Sequence, residues 1–232
     1  MTTVHSLGSK LLAEFIGTFF LIAAGLGVFL NTGDLLATAF AHGLAIAIGV
    51  TAIGHVSGGH LNPAVTSAML VFRQISLVEA IAYVVAQLSG AYVAALCIMW
   101  GWDTDGSGLT GATPALAAGL GVGNGILLEL IATFLLVWTV FAVAVDRDGA
   151  FFKVAGLPIG FAVTTGILMI GGATGAALNP ARWFGPALLT GTWNDAVVWI
   201  VGPIAGGILA GAAYLYGVKP RLAGAAAAPD TV

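Results

Sequence analysis

Charged residues are scarce in this sequence. Only 7% of its 232 residues are charged, whereas soluble domains carry about 25%, and 59% are hydrophobic with a mean hydropathy of +1.04. So little charge cannot cover a water-facing surface, which excludes a soluble globular fold. Disorder is excluded as well, because it requires low hydrophobicity and high net charge. The net charge of −3 and the lack of any basic run give no indication of a nucleic-acid partner.

Cysteine and reactive clusters are equally scarce. The single Cys97 excludes an intrachain disulfide and is predicted to be an apolar packing residue. No Ser/His/Asp, Cys/His or HExxH arrangement is evident, so we expect neither an enzyme nor a cofactor. A metal site at His55 or His60 would need further well-placed ligands, and none is expected. For His55 we predict loop bracing, with a pH-sensing role as the alternative.

Long apolar runs are abundant, and a membrane-spanning helix needs about 20 such residues. Stretches of spanning length lie at about 11–30, 35–54, 78–100, 124–145, 154–171 and 196–217. Two more, at about 61–72 and 179–189, are too short to cross and favour re-entrant segments. The sequence therefore predicts an all-α membrane protein with six transmembrane helices and two re-entrant half-helices. Tryptophans near the span ends are predicted interfacial anchors, namely Trp100, Trp102, Trp183, Trp193 and Trp199.

The distribution of positive charge predicts the orientation. Six of the seven basic residues fall on one side of these spans, and the exception is Arg182 in the second short segment. The positive-inside rule makes that side cytoplasmic, so we expect both termini in the cytoplasm of a cell-membrane protein. The small-residue tail, 221–232, is expected to be disordered.

Two motifs recur at nearly one spacing. Glu14 and Glu129, in similar sequence contexts, are 115 residues apart, and the Asn-Pro-Ala tripeptides that begin at Asn62 and Asn179 are 117 residues apart. This indicates a duplication, with repeat one at about 8–105 and repeat two at about 122–220 of a single domain. Each half has an odd number of spans, so the halves are inverted, and the functional site is expected between them at the midplane.

The Asn-Pro-Ala tripeptide is suited to begin a helix. Asparagine is a good N-cap and proline fits the first turn, where its missing N–H costs nothing. We therefore predict half-helices that begin at Asn62-Pro63-Ala64 and at Asn179-Pro180-Ala181, each after an irregular glycine lead, Gly58-Gly59 and Gly171-Gly172. Their positive dipole ends would face each other at mid-membrane and repel cations, protons included.

At these motifs the chain resembles the aquaporin (major intrinsic protein) family. The likeness extends over nearly the whole sequence and is strongest at residues 55–66, HVSGGHLNPAVT, and 175–182, GAALNPAR. An arginine, Arg182, follows only the second motif. The resemblance implies a right-handed bundle of six helices with two half-helices, assembled as a homotetramer with one pore in each protomer. It implies that water and small neutral solutes are the partners of the pore.

The resemblance also assigns roles to individual residues. Asn62 and Asn179 would donate side-chain N–H groups to a passing molecule, while Glu14 and Glu129 would be buried and brace the re-entrant loops. Backbone carbonyls would line the half-pores as acceptors at Gly59, His60, Leu61, Ala176, Ala177 and Leu178.

Four positions carried over by spacing correspond to the family's selectivity constriction: His42, Ile167, Ala176 and Arg182. The set is similar to that of some plant tonoplast intrinsic proteins, which pass water and also ammonia, urea or hydrogen peroxide. Glycerol facilitators look different, since they typically have aspartate where this chain has Trp183. The sequence thus predicts a passive channel for water and other small neutral solutes that excludes protons and ions, with a glycerol-type facilitator as the alternative.

Two further functions remain open. Inverted repeats with broken helices also occur in secondary transporters, although a coupled carrier would favour several titratable groups along its path. Here the expected path holds His42 and Arg182 and no acid between the two asparagines. A junction or scaffold role is compatible with the same fold, and the sequence does not separate it from a channel.

Overall fold

The computed structural model describes residues 5–146 and 154–219, and within these ranges it contains helices and no strands. The expected tail, 221–232, lies outside the described residues. The long and half-length helices are α1 (Leu7–Thr32), α2 (Leu35–Ser57), α3 (Pro63–Val71), α4 (Leu77–Gly101), α5 (Val122–Val140), α6 (Gly156–Thr174), α7 (Pro180–Thr190) and α8 (Val197–Ala213). A 3₁₀ segment covers Gly106–Ala112, and π-helical turns extend α5 to Val145 and α8 to Val218.

Six of these helices are long and apolar enough to cross a membrane: α1, α2, α4, α5, α6 and α8, with α5 and α8 counted through their π-helical turns. The predicted fold class is therefore confirmed. The ends differ from the expected ones by a few residues: α1 begins four residues before its expected start, and α2 continues three residues past its expected end. Ser6 accepts a hydrogen bond from the Ser9 amide at the start of α1, and Asp34 does the same for Ala37 at the start of α2.

The two half-helices begin at the asparagines. The side chain of Asn62 accepts from the Ala64 amide at 2.8 Å, and that of Asn179 accepts from the Ala181 amide at 2.9 Å. A proline occupies the first turn of both α3 and α7. Each helix thus starts inside the protein, where its first backbone N–H groups point into the interior.

The glycine lead predicted at Gly171-Gly172 is wrong, because both residues lie inside α6. Glycine need not break a helix that packs against neighbours in a membrane. The chain turns instead at Gly175, whose φ of 74° is the counterpart of φ 90° at Gly58 in repeat one. A Cβ on Gly175 would lie 2.6 Å from the Cα of Pro114. Both the left-handed backbone and the lack of space for a side chain therefore require glycine at this turn.

The packing follows the inverted duplication. In repeat one α1 packs against α2 and α4, in repeat two α5 packs against α6 and α8, and α2 meets α6 between the halves. Each half-helix is covered by the last span of the other repeat, α3 by α8 and α7 by α4. A Cβ on Gly90 would overlap the Phe15 carbonyl, and one on Gly206 would overlap the Leu130 carbonyl. Small residues let these helices approach backbone to backbone.

The anchor prediction is wrong for two of the five tryptophans. Trp183 and Trp199 are only 2% and 1% exposed and stack on each other, with ring centroids 5.8 Å apart between α7 and α8. Trp100, Trp102 and Trp193 are exposed. Cys97 is also exposed rather than packed inside. An apolar sequence does not distinguish a lipid-facing position from a protein-facing one, because both are apolar.

Candidate functional site

A buried carboxylate supports the first re-entrant loop. Oε1 of Glu14 accepts hydrogen bonds from the Ser57 hydroxyl at 2.7 Å and the His60 amide at 2.9 Å. Oε2 accepts from the Leu61 amide at 2.7 Å and from the Gln87 side-chain amide at 2.8 Å. Glu14 is fully buried. Four donors compensate one carboxylate, so its burial is tolerated and the loop is fixed to α1.

The second loop is supported in the same way by Glu129. Oε1 accepts from the Thr174 hydroxyl at 2.7 Å and the Ala177 amide at 2.9 Å, and Oε2 accepts from the Leu178 amide at 2.8 Å. Among the residues that the structure describes there is no fourth donor, because the position equivalent to Gln87 holds Pro203, which lies within α8. Each re-entrant loop is therefore held by a buried glutamate, and the glutamate of the second loop accepts one hydrogen bond fewer than that of the first.

The tips of the loops are tied to each other. Leu61 and Leu178 both have φ of 53°, a left-handed conformation that is uncommon for leucine. Nδ2 of Asn62 donates to the Leu178 carbonyl at 2.9 Å, and Nδ2 of Asn179 donates to the Leu61 carbonyl at 2.8 Å. Each amide carries two N–H groups, so one hydrogen of each asparagine remains for another acceptor.

A cavity of about 330 Å³ runs past both asparagines. Its wall includes Lys10 and Glu79, and also His42, Ile167 and Arg182. Of the expected carbonyl positions, four lie along this wall: Gly59, His60, Ala177 and Leu178. Leu61 and Ala176 do not form part of it and are completely buried. The structure thus brings three of the four expected constriction residues to one cavity and leaves Ala176 out of its wall.

His42 and Arg182 present opposite hydrogen-bonding characters. Nδ1 of His42 lies 2.8 Å from the Thr38 carbonyl, so it carries the proton, and in the neutral ring Nε2 is an acceptor. The ring fits because its neighbour on α1 is Gly25, where a Cβ would overlap it. Arg182 donates from Nη1 to the Ala112 carbonyl at 3.1 Å, while its buried Nε has no partner among the described residues.

Ala112 ends the 3₁₀ segment that holds Arg182 in place. Asp105 caps the start of this segment, and hydrogen bonds from the Ser107 side chain and amide hold the pKa of the exposed Asp105 carboxyl below its usual value. The loop between α4 and α5 is therefore locally ordered where it supplies the arginine with an acceptor.

Several residues of the site were not expected. Ser57 and Thr174 occupy equivalent positions in the two repeats, and each donates a hydrogen bond to the carboxylate of its own repeat. The 117-residue spacing of the repeats could have identified them. No pattern in the sequence indicates that Gln87 reaches Glu14. The bracing role predicted for His55 is wrong, since this exposed ring packs edge-on against His5 with centroids 5.9 Å apart. In the described ranges no group of three or more His, Cys, Asp or Glu could hold a metal ion.

Known proteins share this architecture. The family model for the major intrinsic protein matches residues 1–214. The probable aquaporin TIP2-2 of Arabidopsis thaliana is 39% identical over 215 residues, which cover 88% of this chain and 84% of that protein. Aquaporin TIP1-2 of Zea mays is 42% identical over 214 residues, which cover 87% and 83%. The X-ray structure of the aquaglyceroporin from Plasmodium falciparum superposes with a TM-score of 0.83 at 26% identity and covers 93% of this chain and 98% of that one. The chain therefore belongs to the major intrinsic protein family.

Proposed function

We propose that this protein is a passive membrane channel for water and for at least one further small neutral solute. The observation that carries the proposal is the cavity that passes between two asparagine-tipped half-helices and reaches Arg182. A molecule in it meets amide donors from both loops and backbone acceptors along the wall. These replace the hydrogen bonds of bulk water without a titratable acid between the asparagines.

Exclusion of ions follows from the charges around this path. The N-terminal ends of α3 and α7 each carry a partial positive charge, and Arg182 adds a full one in a water-poor environment. Cations, protons included, are repelled there. Anions are not repelled by this positive charge, but they lose hydrating water beside the apolar parts of the wall, such as Ile167 and Val163, and are excluded for that reason.

The wall near Arg182 supports a solute range wider than water. His42 offers an acceptor and Arg182 offers donors, while Ile167 contributes an apolar surface. Ammonia, urea and hydrogen peroxide each carry a few hydrogen-bonding groups that could meet both polar side chains and slide past the isoleucine. We therefore propose one of these three as the second solute.

Glycerol is the second candidate. The fold neighbour with the TM-score of 0.83 is an aquaglyceroporin, which favours a glycerol-type facilitator for this chain as well. The single polar pair at His42 and Arg182 argues for solutes smaller than glycerol. The three hydroxyl groups of glycerol would have to lose hydrating water beside the apolar Ile167.

Reconstituted proteoliposomes test this function. We expect osmotic shrinkage far above that of protein-free liposomes, with a low activation energy and no need for an ion gradient. Uptake of ammonia, urea, hydrogen peroxide and glycerol is then measured on the same preparation. Dependence on an ion gradient would indicate a transporter, glycerol flux would favour the facilitator, and background values for every solute except water would contradict the wider range.

Replacing Ile167 with histidine is expected to restrict the second solute more than water. The imidazole reaches further from the backbone than isoleucine does, and it adds to the cavity wall a hydrogen-bonding group that holds water well. We expect a severalfold loss for the second solute and a smaller change for water, both measured by stopped-flow light scattering. Ala176→Thr, at another of the four constriction positions predicted from the sequence, would add backbone strain at φ 47° and lies outside the cavity wall.

Leu168→His is the matched control for this variant. Leu168 lies on α6 beside Ile167 but is 42% exposed on the outside of the bundle. Equal effects of the two histidines on solute preference would contradict a role of Ile167 in selection.

Assembly and orientation complete the proposal. We propose a homotetramer in the cell (plasma) membrane with both termini in the cytoplasm. Exposed apolar side chains along the outer faces of the helices, such as Phe20, Ile48 and Phe161, support burial against lipid or other protomers. The one-sided distribution of basic residues supports the orientation.

A further inference from the structure

An ion pair lies at the end of the cavity remote from Arg182. Nζ of Lys10 on α1 is 2.7 Å from Oε1 of Glu79 on α4, and both side chains line the cavity while remaining 30% and 23% exposed. His42 packs against Gly25, fifteen residues further along α1 than Lys10, a distance of about 22 Å along a helix. The pair therefore marks one mouth of the channel, and His42 lies toward the other.

The duplicated architecture does not require this pair. Repeat two has Gly125 and Asp195 at the positions equivalent to Lys10 and Glu79, so it has no ion pair there. The carboxylate of Glu14, one helical turn beyond Lys10, has its four donors without help from the pair. Partly exposed ion pairs also contribute little to stability. Neither loop support nor stability accounts for two charges at this mouth.

The charges of the cavity wall suggest what the pair does. In the described part of the chain the side chains of fixed charge on this wall are Lys10, Glu79 and Arg182. An unpaired Glu79 would concentrate cations at the mouth, and an unpaired Lys10 would concentrate anions, by roughly tenfold or more in a cleft with low-dielectric walls. An ion held there could not pass Arg182 and would obstruct the neutral solutes behind it.

We propose that Lys10 and Glu79 neutralise each other so that this mouth binds neither cations nor anions. The mouth then offers hydrogen-bonding groups to neutral solutes and has no net charge, which keeps the channel conductive in salt solution. This inference rests on the proposed channel function. It makes the pair a determinant of specificity that lies well away from His42 and Arg182.

Single neutral substitutions with probe ions of both signs test the proposal. Lys10→Met leaves Glu79 unpaired, and guanidinium, a planar cation that pairs with carboxylates, should inhibit its water flux at about tenfold lower concentration than in the parent protein. Glu79→Gln should gain the same sensitivity to nitrate and none to guanidinium. Probes are added on both sides of the liposomes, and each flux is compared with that of the same variant without probe.

Charge-preserving variants provide the controls. Lys10→Arg and the exchanged pair Lys10→Glu with Glu79→Lys should both be as insensitive to either ion as the parent protein. Lys10→Gln and Glu79→Met are prepared as well, so the outcome does not depend on the folding of one variant. Equal responses to both ions, no response in any single variant, or a sensitive exchanged pair would overturn the proposal.

Failure of the channel function is a separate outcome. It would appear as background water flux in the parent protein. Ion binding can still be measured in that case, because guanidinium should raise the melting temperature of detergent-solubilised Lys10→Met and not that of the parent protein. The absence of that shift would overturn the inference by itself.

Discussion

Glu14→Leu is expected to lose the folded channel, whereas Glu14→Gln should fold with reduced stability. Leucine leaves the hydroxyl of Ser57, the amides of His60 and Leu61 and one of the two side-chain N–H groups of Gln87 without an acceptor, while the other still donates to Thr66. A buried unsatisfied donor costs about 1–3 kcal/mol, so four of them amount to a large part of the stability of an ordinary domain. Glutamine keeps one carbonyl oxygen as an acceptor. Thermal unfolding in detergent, followed by size-exclusion chromatography, measures the difference.

The second repeat provides a matched comparison. Glu129→Leu removes the acceptor of three donors instead of four, because Pro203 stands where Gln87 does in repeat one, and the Thr174 hydroxyl keeps the Ile170 carbonyl at 3.5 Å. We expect a smaller loss of melting temperature than for Glu14→Leu. When Gln87→Leu is combined with Glu14→Leu, the fourth donor is removed as well, and the losses at the two glutamates should become more similar. Equal melting temperatures for the Gln and Leu variants at Glu14 would show that the loops do not depend on the carboxylate.

Arg182→Val should admit larger solutes and weaken the exclusion of cations. Valine is also what repeat one has at the equivalent position, Val65, so the backbone of α7 accommodates it. A unit charge 4 Å from a passing cation contributes about 4 kcal/mol at an effective dielectric constant of 20. Part of the barrier remains because the ends of α3 and α7 are unchanged, so we expect cation leakage to rise on the order of tenfold or more. Glycerol uptake and dye-reported cation flux in proteoliposomes measure both effects.

Arg182→Lys separates charge from position. Lysine keeps the positive charge but lacks the planar group that donates to the Ala112 carbonyl. It should retain most of the cation exclusion while the solute range widens. Unchanged selectivity in folded Arg182→Val would contradict the role of this arginine.

The sequence predicts the framework because its motifs act locally. Asn62 and Asn179 cap helices through contacts with residues two positions ahead, so the half-helices follow from the tripeptides alone. Glu14 and Glu129 attract notice because a carboxylate in an apolar run needs a partner. The repeat spacing then indicates that each carboxylate serves an equivalent loop.

Other features depend on which face of a helix meets protein. Trp183 and Trp199 look like interfacial residues by position but are buried against each other. Ala176 matches a constriction position by spacing, yet it is completely buried and lies outside the cavity wall. Lipid and protein interior are both apolar, so hydropathy does not reveal such differences. They arise from packing between segments that are distant in the sequence.

The exchange of half-helices between the repeats has a consequence for biosynthesis. The half-helix α3 (Pro63–Val71) is covered by α8 (Val197–Ala213), which the ribosome makes well over a hundred residues later. At 5–20 residues per second this delay is on the order of ten seconds. Throughout it the newly inserted first repeat exposes a helix too short to cross the bilayer, whose capped end at Asn62 lacks the loop carbonyl of Leu178. Until then α3 has only α4 of its own repeat to pack against, and the channel can close around its cavity only after the last span has left the ribosome.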